Sequence, residues 1–157
     1  MDFDLRLQEE YLDAARNAAL EAEEIAGEMT RKVKKAENQM YDGPRKQPLV
    51  HMKLNSANSQ RKDLLEKIDV FRKAVERIKL EDYLDFQEEG FCTFQDWFFD
   101  GLVFDVPLFT LPQMGDQIVL QGGERIKATQ HNLQIAAERL LEVKEYVLQE
   151  GDDDETV

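Results

Sequence analysis

The sequence holds one cysteine, four prolines, eight glycines, two histidines and one tryptophan in 157 residues. A single thiol, Cys92, forms no internal disulfide, which removes the cross-links that small secreted domains use to supplement a thin core. Few Pro and Gly beside a 42% hydrophobic fraction exclude collagen-like and low-complexity chains. His51, His131 and Cys92 do not fall at the spacings of a zinc site. A long apolar run is missing as well. The stretch from Trp97 to Leu111 is interrupted by Asp100 and Asp105 and is too short to cross a bilayer. The start, Met1-Asp2-Phe3-Asp4, carries acids where a secretory signal needs positive charge, so the expected setting is the cytoplasm, without membrane contact.

What is present is charge and helical periodicity. Net charge is -13, which repels nucleic-acid phosphate over the molecule as a whole and argues against a nucleic-acid partner. The sign is unevenly distributed. Residues 1–30 carry 9 acids and 2 bases, residues 31–79 carry 6 acids and 14 bases, residues 80–116 carry 9 acids and no base, and the rest carries 9 acids and 4 bases. The basic block either pairs with an acidic neighbour along antiparallel helices, as flanking positions of coiled coils do, or presents a docking face. Arg31-Lys32-Val33-Lys34-Lys35 and Arg45-Lys46 lack the interleaved aromatics that stack on bases.

Tyr11, Ala15, Ala18, Ala22, Ile25, Met29, Val33, Ala36 and Met40 recur at steps of three and four, one stripe of a long helix. Two consecutive fours make a stutter near Met29 to Val33 that relaxes strict heptad supercoiling. Alanine favours the helix and lets a neighbouring backbone approach closely. Asp42-Gly43-Pro44 ends it. Ala57, Arg61, Leu64, Ile68, Phe71, Val75 and Ile78, six of them apolar, continue a second stripe, giving a helix over about 50–79 that folds back on the first. Ser56 and Ser59 are candidate N-caps within it. The segment 80–111 gathers Tyr83, Phe86, Phe91, Phe94, Trp97, Phe98, Phe99, Phe104 and Phe109. Thr93 and Asp96 form an N-cap signature that predicts a short helix from Phe94 to about Phe104. Thr110 and Gln113 match a capping box. Gly122, Ile126, Thr129, Leu133, Ala136, Leu140, Val143 and Val147 then predict a helix over about 112–149, against a competing strand over Gln117 to Leu120 that the two glycines would end. Such a helix is about 57 Å long, which exceeds the roughly 40 Å width of a compact domain of this size.

The expected fold is therefore all-α: an elongated antiparallel bundle of about four helices with coiled-coil-like packing, one domain over 1–150 followed by an acidic, solvated tail over 151–157. Stripes left uncovered at the ends of so long a molecule favour a homodimer. Aromatic residues at every helical angle in Asp96–Asp105 cannot all face one core. Trp97, Phe98, Phe99, Val103 and Phe104 are accordingly the candidate partner-binding residues, since Trp and Phe dominate interface cores.

Catalytic patterns are sparse. Ser56 and Ser59 are explained by capping, Cys92 sits in an apolar turn, and Gly122-Gly123 lacks the Lys-Ser/Thr of a phosphate-binding loop. Glu21, Glu24 and Glu28 do share one helix face, and Glu81, Asp82 and Asp85 add carboxylates from a second element. This loosely resembles the all-α nucleotide pyrophosphohydrolases of the MazG type, whose Glu-rich helices bind magnesium and a nucleoside triphosphate. That family pairs Glu-Glu-x-x-Glu with a later Glu-x-x-Asp. Here Gly27 follows Glu23-Glu24 where the third Glu belongs, and Glu28 stands one place later. The resemblance implies, as the alternative, a magnesium-dependent hydrolase using Glu21, Glu24 and Glu28. The principal reading is a non-enzymatic, self-associating interaction or scaffold protein with no cofactor, open to a further protein partner.

Overall fold

The computed structural model describes residues 5–80, 90 and 93–155 and is mostly helical. Helix α1 spans Leu5–Met40, about 54 Å at 1.5 Å per residue. After a 3-10 turn at Pro44–Lys46, α2 (Gln47–Ser59) and α3 (Arg61–Glu76) return along it. A five-residue α4 (Phe94–Phe98), a small hairpin of β1 (Gln113–Met114) and β2 (Gln117–Ile118), and α5 (Gly123–Glu155) complete the chain. Among the described residues no helix is long and apolar enough to cross a membrane.

Helix α1 is the element against which α2, α3 and α5 all pack. Pairings such as Gln8 with Lys79 and Glu21 with Lys67 make α3 antiparallel to it. Asp13 with Lys144 and Glu23 with Gln134 do the same for α5. Contact from more than one side widens the single stripe read from sequence. Leu12, Ala19 and Ala26 are buried along with Ala15, Ala18, Ala22, Met29, Val33 and Ala36, whereas Tyr11 and Ile25 are only half-buried. Gly27 joins the buried face because a Cβ there would meet the Gln130 amide at 3.1 Å. The stripe expected on α5 is buried as spaced, through Ile126, Thr129, Leu133, Ala136, Leu140, Val143 and Val147.

Three helix boundaries differ from the sequence reading. The helix expected over 50–79 is divided at Gln60. There the Gln60 N–H donates to Ala57 O at 3.1 Å in a 3-10 turn, and the Ser59 hydroxyl donates to the Ser56 carbonyl at 2.6 Å, a back-bond of the kind that accompanies bends. Neither Ser56 nor Ser59 therefore caps a helix. The aromatic helix keeps its Thr93 cap but stops at Phe98 rather than near Phe104, because Gly101 adopts φ +75° and turns the chain away.

The helix expected over 112–149 starts at Gly123, and the competing strand is the arrangement found. Thr110 bridges Gln121 instead of capping a helix, and Gln113 and Met114 pair with Ile118 and Gln117. Gly122 decides the matter: its φ of +104° lies outside the helical region, and a Cβ there would stand 2.8 Å from the Phe109 ring. At the other end α5 continues to Glu155, through the acidic segment set apart above as a tail.

Gly122→Ala is expected to lower the unfolding free energy by more than about 2 kcal/mol, combining backbone strain with overpacking. Gly115→Ala, also at positive φ but with open space around it, should lose only about 1 kcal/mol. Urea titrations of both variants check this, and equal losses would show that Phe109 yields freely.

Candidate functional site

The aromatic segment is built on α3 as much as on its own helix. Phe71 of α3 lies edge-on to three rings, with centroids 6.0 Å from Phe98, 5.9 Å from Phe99 and 5.5 Å from Phe104. Phe94 and Phe98 stack at 5.7 Å and are both fully buried. Edge-to-face rings at these distances add attraction beyond the area they bury. Arg72 places its guanidinium 5.8 Å from the centre of the Phe104 ring, a cation–π contact at the surface.

Of the five residues read as a partner-binding set, Phe98 is thus core, and Trp97, Phe99 and Phe104 are half-buried against that core. Only Val103, at 67% exposed, stands out into solvent. The five do not form one outward patch, because the helix that would have displayed them ends at Phe98 and Phe71 gathers the rings inward.

Polar side chains from three helices hold the segment that follows. Gln95 donates to the carbonyls of Val75 (2.8 Å) and Ile78 (3.0 Å), satisfying the end of α3. On α5, Arg139 donates to Phe98 O and Asp100 O, and Asn132 donates to Val103 O at 2.8 Å. The buried Thr129 hydroxyl donates to Asp105 O and accepts from Asp105 N, while Arg125 pairs with the Asp105 carboxylate. From the opposite side Arg61 donates to Val106 O, and Asn58 brackets Phe109 through both its N–H and its C=O. Residues 93–110 therefore form a strap that bridges α5 to α2 and α3. An irregular backbone this close to the core needs such partners for its peptide groups. Sequence reading missed the role of Asn58, Asn132 and Arg139, which look like solvated helix positions. Arg61 and Thr129, polar residues on apolar stripes, were the visible signals.

The carboxylates of the alternative reading point to different neighbours. Glu21 pairs with Lys67 at 2.7 Å, and Glu28 accepts from Gln60 at 2.7 Å, both toward α2–α3. Glu24 is exposed, and Glu23 accepts from Gln130 and Gln134 on α5. Among the described residues no group of three or more His, Cys, Asp or Glu side chains is placed to hold a metal ion. Glu81, Asp82, Asp85 and Cys92 lie outside the described residues. His51 and His131 are exposed.

An open groove of about 1430 Å³ lies at the end of the molecule where α1 finishes. One wall is Met40, Tyr41 and the turn at Gly43, and the other is the chain from Asp116 to Arg125. Its apolar surface comes from Met40, Ile118, Val119 and Leu120, and Glu37, Asp116 and Glu124 also line it. Among the described residues none of those three carboxylates has a cation within 4.0 Å.

Lys67, Lys73 and Lys144 are held above their ordinary pKa of 10.5, and the first and last of these join different helices. For Lys67 the cause is the hydrogen bond to Glu21, followed by that carboxylate's charge. For Lys144 it is the hydrogen bond to Asp13, opposed by partial burial and helped by the charges of Asp13 and Glu9. A raised lysine stabilises the fold fully below the unfolded-state pKa, and that contribution is lost as pH rises through the higher folded-state value. Melting temperature is therefore expected to fall above about pH 10.5, and less steeply in Asp13→Asn than in the parent chain. Phe98→Ala should cost about 3–5 kcal/mol, whereas Val103→Ser should stay within about 0.5 kcal/mol, both read from circular-dichroism melts. A stable Phe98→Ala protein would place that ring at the surface. No protein-family model, no curated protein and no solved structure matches this chain.

Proposed function

We propose that the chain is a non-enzymatic interaction protein of the cytoplasm, a scaffold that associates with itself. The observation that carries this reading is the distribution of large apolar side chains left outside the core. Tyr41 (81% exposed), Met52 (61%), Leu108 (56%), Met114 (59%) and Ile118 (48%) all belong to the segments 41–52 and 108–119. The hairpin is a two-stranded ribbon with every strand residue exposed, and an isolated ribbon of that size is marginal in water without a covering surface. Tyr41, Ile118 and Val119 line one groove, and exposed apolar surface gathered in this way marks interaction sites.

The elongated antiparallel bundle with coiled-coil-like packing is part of the same reading. It is supported by two long helices, α1 and α5, that run antiparallel with small residues between them. The stripes at 11–40 and 119–147 are largely consumed inside the chain, which moves self-association from the helix flanks to the end of the molecule.

Absolute mass by light scattering, from micromolar to sub-millimolar protein at low and high salt, tests the reading. A dimer mass is expected at the upper concentrations. A monomer at every concentration and salt would overturn it.

A further inference from the structure

The groove at the end of α1 holds more than apolar surface, and its composition identifies what fills it. Its volume of about 1430 Å³ exceeds the range of roughly 300–1,000 Å³ usual for small-molecule sites, and it is open along one side, so a polypeptide surface fits it better than a metabolite. Three carboxylates, Glu37, Asp116 and Glu124, line it, and all three are exposed. Arg125 is the cation of the lining, and it is already engaged by Asp105. Directly at the rim, the 3-10 turn Pro44–Lys46 lies between the lining residues Gly43 and Gln47 and presents Arg45 and Lys46 to solvent. Neither has a carboxylate partner within 4.0 Å among the described residues.

One patch thus carries a pair of free cations, a set of free anions and an apolar centre. A partner of a single charge sign meets like charge somewhere on it: an anionic lipid surface meets Glu37, Asp116 and Glu124, and a basic peptide meets Arg45 and Lys46. A surface that bears both signs around an apolar centre is complementary to its own copy, which is the requirement of an isologous two-fold contact. We propose that two copies of this chain meet end to end through this groove, Arg45 and Lys46 of each reaching the Glu37, Asp116 and Glu124 carboxylates of the other, with Tyr41, Met114 and Ile118 buried between them. The inference rests on the self-association proposed above and specifies its surface and symmetry. Charges at the rim set encounter rate and register, and the apolar centre supplies the burial.

The test is a charge exchange between two variants of the full chain. One carries Arg45→Glu and Lys46→Glu, so its groove and rim are all acidic. The other carries Glu37→Lys, Asp116→Lys and Glu124→Lys, so both are basic. In sedimentation velocity each variant alone is expected to dissociate at least about tenfold more readily than the parent, a difference of about 1.4 kcal/mol. Their equimolar mixture should form a heterodimer, because every cross-copy pair in the mixture joins opposite signs. All substituted side chains are exposed, and far-ultraviolet circular dichroism confirms that each variant remains helical. Ile118→Asp supplies an independent arm and should also give monomer with helicity retained. Variants that remain dimeric alone, or that are monomeric and do not pair when mixed, would overturn this interface while leaving self-association standing. A parent chain that is monomeric throughout overturns both.

Discussion

The close approach that α1 allows is the constraint on which the rest depends. Its buried face is mostly small, with Ala15, Ala18, Ala19, Ala22, Ala26, Gly27 and Ala36 between the larger Leu12, Met29 and Val33. Neighbouring backbones come near on more than one side, and further large side chains that fill the interior are supplied by them: Leu64, Ile68 and Phe71 from α3, and Ile126, Leu133 and Leu140 from α5. Small facing large at native packing density is how such layers interlock. A bulky residue at Ala22 or Ala26 would separate α1 from both partners at once.

That geometry leaves the α3 and α5 sides to be joined by something other than a helix, and the strap does it. Phe94, Phe98, Val106 and Phe109 enter the two apolar clusters from above, while Asn58, Arg61, Thr129, Asn132 and Arg139 take up the strap's peptide groups. Apolar anchoring and polar satisfaction come from the same elements. Phe94 and Phe98 are buried in this way, while Trp97, Phe99 and Phe104 are half-buried against the same cluster.

The alternating charge blocks follow the same division. Acidic α1 residues face basic α3 residues, as in the Glu21–Lys67 pair, and Lys144 of α5 is held by Asp13 and Glu9 near the start of α1. Exposed pairs of this kind add little stability at neutral pH, but each favours the observed antiparallel register over a shifted one. Arg45 and Lys46, exposed on the turn after α1, fall outside the ion pairs found among the described residues.

By itself the sequence determined that the chain is helical, where α1 ends, which face of α5 is buried and that Thr93 caps a helix. Each of these is a local property: periodicity near 3.6, alanine content, or a hydroxyl three residues before an amide it can accept from. Tertiary structure decided the rest. The break at Gln60 interrupts a segment whose apolar spacing continues across it, and Gln60 there bonds Lys32 and Glu28 of α1. The heptad spacing runs unbroken through Gly122, but that glycine takes a φ of +104° against the Phe109 ring, which Asn58 of a different helix holds in place. Whether Phe98 faces a partner or the core was likewise settled by Phe71, more than twenty residues away in the chain and 6.0 Å away in space, because burial depends on which surfaces meet, and periodicity within one segment carries no information about that.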